Sequence, residues 1–434
     1  MRILHYMLGF PPYRTGGMTK YAMDLMSAQV DDGNSVIALW PGEIRSYSGK
    51  PQLKEKKSVN GIRSIEIINP LPIPLDEGIK EISAYTKSCD INIYELFLSS
   101  EQPEVIHIHT LMGIHSEFIM AANKLGIRTV FTTHDYFGIC PKVTLYRYGE
   151  CCDYDNECVN CIQCNLSSLS LKKIQIMQSR YYRLLKNNIV VKKIRKKHRS
   201  NFYDNECVPE MPSVQINEMA KEYRYLRQYY VKMYESIDII HFNSTLAEEI
   251  YTRYVKPKDS AVVSITHKGI KEHKNIPKIK SKKKIIVSLA PAKPFKGWNV
   301  LKEACSQLWN EGRNIELRVY SMVSNPEAYM VVKEDGFKQS ELEKILREAD
   351  VLVAPSIWYE TFGFTVLEAL SYNVPVIVTN HVGAKDIIEN SGMVVEAGNV
   401  EQLKNAIDNI NVNEKVKVKE WGEFLKEMYE IYRG

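Results

Sequence analysis

The sequence predicts an α/β protein of two halves, each built on a parallel sheet, and three observations carry that prediction. The 434 residues exceed one compact core and suit two domains. Short apolar runs alternate with longer stretches of helical period, and strand, helix and strand in succession imply parallel pairing with crossovers. The alternation pauses over Lys271 to Lys284, a run rich in Lys and Pro that suits a linker, and then begins again.

The first series opens at Met1 to Leu8. This apolar run is too short for a signal peptide and Gly9-Phe10-Pro11-Pro12 follows at once, so it reads as a strand. Val105 to His109 reads as a buried strand, Leu111 to Leu125 as a helix stopped by Gly126, and Arg128 to Thr133 as the next strand. Ile237 to Phe242 is another strand, followed by a helix over Thr245 to Tyr254. After the linker, strands are expected at Lys284 to Leu289, Ile315 to Tyr320, Val351 to Ala354 and Val374 to Val378. A helix follows over Glu401 to Ile410. The segment Lys419 to Tyr432 spaces Trp421, Phe424, Leu425, Met428 and Tyr432 as a helix does. The expected division is 1–275, 276–415 and a closing helix at 416–434 that packs back towards the first domain. Residues from about 140 to 212 interrupt the first domain as an insertion.

Composition narrows the function. Hydrophobic residues make up 44% and charged residues 25%, as in ordinary soluble proteins, and a formal charge of +5 does not make the whole molecule a polyanion binder. No stretch approaches the ~20 apolar residues of a membrane span. The protein is therefore expected in the cytosol, where its nine cysteines would be thiols or metal ligands.

The most informative stretch is Pro355-Ser356-Ile357-Trp358-Tyr359-Glu360-Thr361-Phe362-Gly363-Phe364-Thr365-Val366-Leu367-Glu368-Ala369-Leu370. It leaves a buried strand, turns at Gly363 and enters a helix, so it lies where open α/β sheets bind ligands. The N–H groups of Phe364 and Thr365 would point at an anion. Glu360 and Glu368 flank that point with seven residues between them, placed to accept hydrogen bonds from two sugars. A nucleotide sugar has that layout of hexose, diphosphate and ribose.

Taken whole, the stretch resembles the signature of the retaining glycosyltransferases of family 4, the glycosyl transferases group 1, whose fold is GT-B: two Rossmann-like domains with parallel sheets facing across a cleft. Other segments resemble the family in the same order. Gly16-Gly17 matches its glycine-rich loop, His134-Asp135 its active-site histidine, Ile265 to Ile270 its interdomain turn, Lys296-Gly297 its diphosphate lysine, and Gly383 with Asp386 its later Gly-rich loop. One departure stands out. The family carries an Arg shortly before the Lys-Gly pair, and Ser288 to Lys296 has none. Lys293 can substitute only as a point charge.

The resemblance implies transfer of a sugar from a UDP- or GDP-sugar, with retention, to a glycan or lipid-linked acceptor in cell-surface polysaccharide synthesis. His134, Glu360 and Lys296 would act in the transfer. Gly16, Gly17, Lys293, Lys296, Phe362, Gly363, Phe364, Thr365 and Glu368 would bind the donor, and no cofactor is needed. The competing reading is a GT-B scaffold that binds a nucleotide sugar without turnover, favoured only by the missing Arg. A sugar phosphorylase would need a pyridoxal lysine context that is not found.

The insertion adds two features. Cys140, Cys151, Cys152, Cys158, Cys161 and Cys164 cluster, and Cys158, Cys161 and Cys164 with Cys140 or Cys152 have spacing suited to a structural zinc; the alternative is ordinary small residues in a loop. Asp153-Tyr154-Asp155 has the spacing of another glycosyltransferase fold's metal motif but does not follow a strand, and reads as coincidence. Lys172 to Arg199 holds eleven Lys or Arg and no Asp or Glu, with interleaved apolar residues. It suits an anionic membrane surface, which would place the protein on the inner face of the cell membrane. A solvated basic helix is the alternative. Nucleic acid is disfavoured, since no recognisable motif accompanies the charge.

Overall fold

The structure is a computed structural model. It describes the 434 residues apart from 47–48, 75–77, 155, 187, 189–190, 192, 194–207, 212–214, 272, 274–276, 280 and 411–417. Three of the basic segment's lysines, Lys192, Lys196 and Lys197, and the second acid of the Asp-Tyr-Asp triplet, Asp155, lie outside the described residues.

Strands β1 (Arg2–Tyr6), β2 (Ser35–Pro41), β3 (Gln52–Val59), β4 (Ile62–Ile68), β5 (Val105–Ile108), β6 (Arg128–Thr132), β7 (Tyr146–Arg147), β8 (Glu150–Cys151), β9 (Ile239–Phe242) and β10 (Ser260–Val262) come first in the chain. Eight of them form one sheet in the order β10-β9-β6-β5-β1-β2-β4-β3, with β7 and β8 a separate hairpin. Every pairing in that sheet is parallel except β3 with β4 at the edge. The second sheet, β13-β12-β11-β14-β15-β16, is wholly parallel. Its strands are β11 (Lys284–Ser288), β12 (Ile315–Val319), β13 (Met330–Val332), β14 (Val351–Ala354), β15 (Val376–Thr379) and β16 (Gly392–Val395).

Parallel strands covered on both faces are largely apolar, and the central ones here are, with buried polar residues such as His5, His107, Thr132 and His241 set among them. On the first sheet, Leu4, Tyr6, Ile106, Ile108, Phe131 and Ile240 face one core. Their neighbours Ile3, Val105, Val130 and Ile239 face another, shared with Phe424, Met428, Ile431 and Tyr432 of the last helix, Trp421–Arg433. That helix therefore lies on the first sheet, where Arg128 also donates to the Ile431 carbonyl at 3.0 and 3.2 Å.

The expected helix over Leu111 to Leu125 begins only at Ser116. Gly113 breaks it: its φ is +80°, and a Cβ there would lie 2.6 Å from Pro41 Cβ. The insertion is also more ordered than its composition suggests. It holds the β7–β8 hairpin and helices Val159–Asn165, Leu171–Met177 and Arg180–Leu185. Cys158, Cys161, Ile162, Leu169 and Ile174 are buried in the first core. Asn165 and Gln178 accept the backbone N–H groups of Ile79 and Ile73, each at 2.8 Å.

Candidate active site

In the second sheet β11 lies beside β14, so the connections of the two strands run off in opposite directions. The crevice outside their C-terminal ends is where such sheets hold ligands. Two loops meet there. After β11 the chain runs to a short 3-10 turn, Pro294–Lys296, closed by Gly297 at φ +75°. Only glycine fits: a Cβ on residue 297 would lie 1.8 Å from the Pro355 carbonyl oxygen of the second loop. This contact brings Lys296 against the loop that follows β14.

Lys296 Nζ lies 2.8 Å from Glu360 Oε1 and 4.7 Å above the Trp358 ring. Ser356 Oγ donates to the other Glu360 oxygen at 2.7 Å. Burial acts to raise the Glu360 pKa, but the Lys296 charge and the two hydrogen bonds outweigh it and hold the carboxyl below its ordinary value. The loop itself is braced by its neighbour. Glu360 N–H donates to the His381 carbonyl at 2.8 Å, and the N–H groups of Gly383 and Ala384 return bonds to the carbonyls of Glu360 and Phe362 at 2.9 and 2.8 Å.

Beyond Glu360 the chain reaches Gly363 at φ +112° and enters the helix Phe364–Ser371. The first N–H groups of any helix, here those of Phe364 and Thr365, lack intrahelical partners. Glu368 Oε1 on this helix meets Lys20 Nζ at 3.7 Å and His267 Nε2 at 3.4 Å, and accepts from Gln339 at 3.4 Å. Lys20 belongs to the helix Gly17–Asp31, which Gly16 starts. At Gly17 a Cβ would stand 3.2 Å from the Phe364 ring, so the two glycines let the first domain approach the second closely. His134 enters from the end of β6: its carbonyl accepts from Thr361 Oγ1 at 3.2 Å. Burial, helped by repulsion from His241, lowers its pKa from 6.5 to about 3, so its ring is neutral.

Lys296 and Glu360 thus come together, as do Gly17, Phe364 and Glu368, with His134 joined through Thr361. Lys293 lies in the same turn, its carbonyl accepting from Lys296 N–H at 3.0 Å. Phe362, expected to bind donor, is instead 2% exposed and packed in the core. Asp386 is not an open acid either. It accepts from Thr245 N and Oγ1 at 2.7 and 2.6 Å and clasps the two domains together.

Sequence reading missed Lys20 and His267, because contacts across 247 residues of chain leave no local pattern. Asp153, read in the sequence as a chance match to a metal motif, takes the Tyr359 hydroxyl at 2.6 Å and Arg253 Nη1 at 2.8 Å. Cys151 Sγ beside it donates to the Ile357 carbonyl at 3.0 Å. The insertion therefore presses on the loop that carries Glu360.

Cys140, Cys152, Cys161 and Cys164 line one small hollow, yet no three sulfurs among the described residues lie within 4.8 Å of one another. Burial raises the Cys140 thiol, and pushes Cys164 to about 11 and Cys151 to about 12. The described group with that closeness is His5, His107 and His109.

Two facing α/β domains with a crevice of this composition have the GT-B architecture. Residues 269–428 match the family model described as Glycosyl transferases group 1. An Escherichia coli (strain K12) glycosyltransferase named for colanic acid biosynthesis is 29% identical over 136 residues, covering 27% of this chain and 34% of that protein. The chain thus spans about a third of the length of that curated relative. A glycosyltransferase structure from Rickettsia africae ESF-5 has TM-score 0.57 and 14% identity, over 100% of this chain and 97% of that one. An Escherichia coli trehalose-6-phosphate structure bound with UDP-2-fluoro glucose has TM-score 0.52 and 11% identity, over 100% and 95%. Among the described residues no helix is long and apolar enough to cross a membrane.

Proposed function

We propose that the chain is a retaining glycosyltransferase of family 4 that moves a hexose from a UDP- or GDP-sugar to a glycan or lipid-linked acceptor in cell-surface polysaccharide synthesis. The observation that carries this reading is the Lys296–Glu360 pair, 2.8 Å apart in the crevice between β11 and β14. Transfer builds negative charge on the leaving diphosphate. A lysine and the open N–H groups of a helix start, fixed in advance at that point, stabilise the charge as it develops. Glu360, already ionised, accepts donor-sugar hydroxyls; Glu368 holds the ribose; His134 lines the pocket from the first domain. The relative's name refers to colanic acid biosynthesis and the neighbour binds a UDP-sugar, which agree in kind with this donor and this pathway class.

The acceptor side is assigned to an anionic membrane surface. Ile176, Tyr181, Leu184 and Leu185 are 54–77% exposed on two consecutive helices, beside exposed Lys172, Lys173 and Arg180. A scaffold without turnover is the weaker reading, because it leaves the charged pair without a use. The test is release of nucleoside diphosphate from a panel of UDP- and GDP-hexoses. Release from one donor, lost in Glu360→Gln, is expected; equal release by the variant overturns the assignment.

A further inference from the structure

We infer that a one-directional chain of hydrogen bonds across the first sheet sets which ring nitrogen of His134 carries its proton, and that Gln29 and Tyr432 are positioning residues for it. The inference rests on the reading of His134 as part of the transfer site.

His5, His107, Thr132 and His241 each stand two residues beyond Ile3, Val105, Val130 and Ile239 on their strands. They therefore share the face covered by the last helix. His5, His107, His109 and His241 are deeply buried and His134 is partly buried, and burial lowers the pKa of each, so each ring is neutral with one donor and one acceptor. That constraint fixes the direction of every bond once one end is fixed.

The fixed end is the Val263 carbonyl, which can only accept, so His241 Nε2 donates to it at 2.7 Å. His241 Nδ1 must then accept, and Thr132 Oγ1 donates to it at 2.8 Å. With its proton used, Thr132 accepts from His107 Nε2 at 2.7 Å. His107 Nδ1 is left as an acceptor, and the Tyr432 hydroxyl donates to it at 2.7 Å. Tyr432 accepts in turn from Gln29 Nε2 at 3.0 Å. This fixes the amide, and Gln29 Oε1 accepts from His5 Nε2 at 2.7 Å. His5 Nδ1 then accepts from His109 Nε2 at 3.0 Å, and His109 Nδ1 accepts from His134 Nε2 at 3.4 Å.

His134 is left with Nε2–H committed inward and Nδ1 as its acceptor. Reversing the Gln29 amide would turn the Tyr432 hydroxyl away from His107 Nδ1 and leave that nitrogen buried without a donor. His5, His107 and His109 stand close enough to hold a metal, but both ring nitrogens of His107 are already committed to hydroxyls. Because Tyr432 lies on the last helix, the seating of that helix on the sheet sets the state of a group at the cleft.

The experiment is nitrogen-15 NMR of histidine-labelled, ligand-free full-length chain at neutral pH, with His134 assigned by its loss in His134→Ala. Wild type should show His134 as the single Nε2–H tautomer, and Thr132→Ser, which keeps the hydroxyl, should preserve it. Tyr432→Phe and Gln29→Met should give mixed tautomers. Their kcat should fall about tenfold, the scale of one lost buried hydrogen bond, with donor KM little changed. An Nδ1–H or mixed His134 in wild type overturns the inference, whatever the variants do. An unchanged His134 in both Tyr432→Phe and Gln29→Met overturns it as well. Normal transfer by His134→Ala would instead remove His134 from the site and leave the NMR result standing.

Discussion

Lys296 and Glu360 neutralise each other across the crevice, and a diphosphate that drew Lys296 away would free Glu360 for sugar hydroxyls, with Ser356 still donating to it. Glu360→Gln removes the carboxylate charge while keeping shape. We expect turnover to fall about 10²- to 10³-fold, the scale of losing one preorganised polar group, with an unchanged thermal midpoint. Near-normal turnover would take Glu360 out of the site. Gly297→Ala tests the packing beneath the pair. A Cβ at 1.8 Å from the Pro355 carbonyl, on a backbone at φ +75°, forces the two loops apart. Reduced stability and weakened nucleotide binding are expected together, and a variant that matches wild type in both contradicts the contact. At this scale the sequence was informative where one stretch carries strand end, turn and helix start together. Glu360, Gly363 and Glu368 were readable because strand, turn and helix place them in order. Lys20 was not, since it reaches Glu368 only after two domains meet.

Elements explain what the insertion does. Its basic run was legible as charge, but not as the two short helices split at Ser179, which caps the second by accepting from Tyr182 N–H at 3.2 Å. Part of that charge is used internally. Arg183 pairs with the buried Glu66, and Lys186 donates to the carbonyls of Pro12 and Tyr13 at 2.6 and 2.9 Å. Lys172, Lys173 and Arg180 face outward beside Ile176, Tyr181 and Leu184. Replacing those three cations with Gln should reduce sedimentation with anionic vesicles. Wild-type binding should weaken as salt rises, because screening acts beyond about 10 Å at 0.1 M. Equal sedimentation of variant and wild type would make the surface a solvated face. The cysteine spacing alone does not say where each sulfur lies: Cys158 and Cys161 are buried in the first core, and Cys161 also lines a hollow with Cys140, Cys152 and Cys164.

At the scale of the whole molecule, two mainly parallel sheets were legible from the alternation of strands and helices, the named strands within a residue or two. Strands β2, β3, β4, β10, β13 and β16 were not read, and the helix expected from Leu111 begins only at Ser116. The histidine face was not legible either, because a histidine at a strand end looks the same whether it serves a ligand or a buried network. That network makes a pH prediction. His5 and His241 fall from 6.5 to about 4 and His134 to about 3 when buried, and His107 and His109 fall as well. The unfolded chain therefore takes up protons below about 6.5 that the native chain refuses. Stability should be full above that pH and drop steeply towards pH 4, read as a falling thermal midpoint. A midpoint flat from pH 7 to 5 would show that the histidines are not buried as described. The central claim, that the crevice holds a nucleoside-diphosphate sugar on Lys296, is tested most directly by thermal unfolding with millimolar UDP, GDP and their hexose derivatives. A ligand bound only to the native state raises the midpoint. The account predicts a clear rise with one nucleotide series, lost in Lys296→Ala; no rise with any of them, or an equal rise in Lys296→Ala, contradicts it.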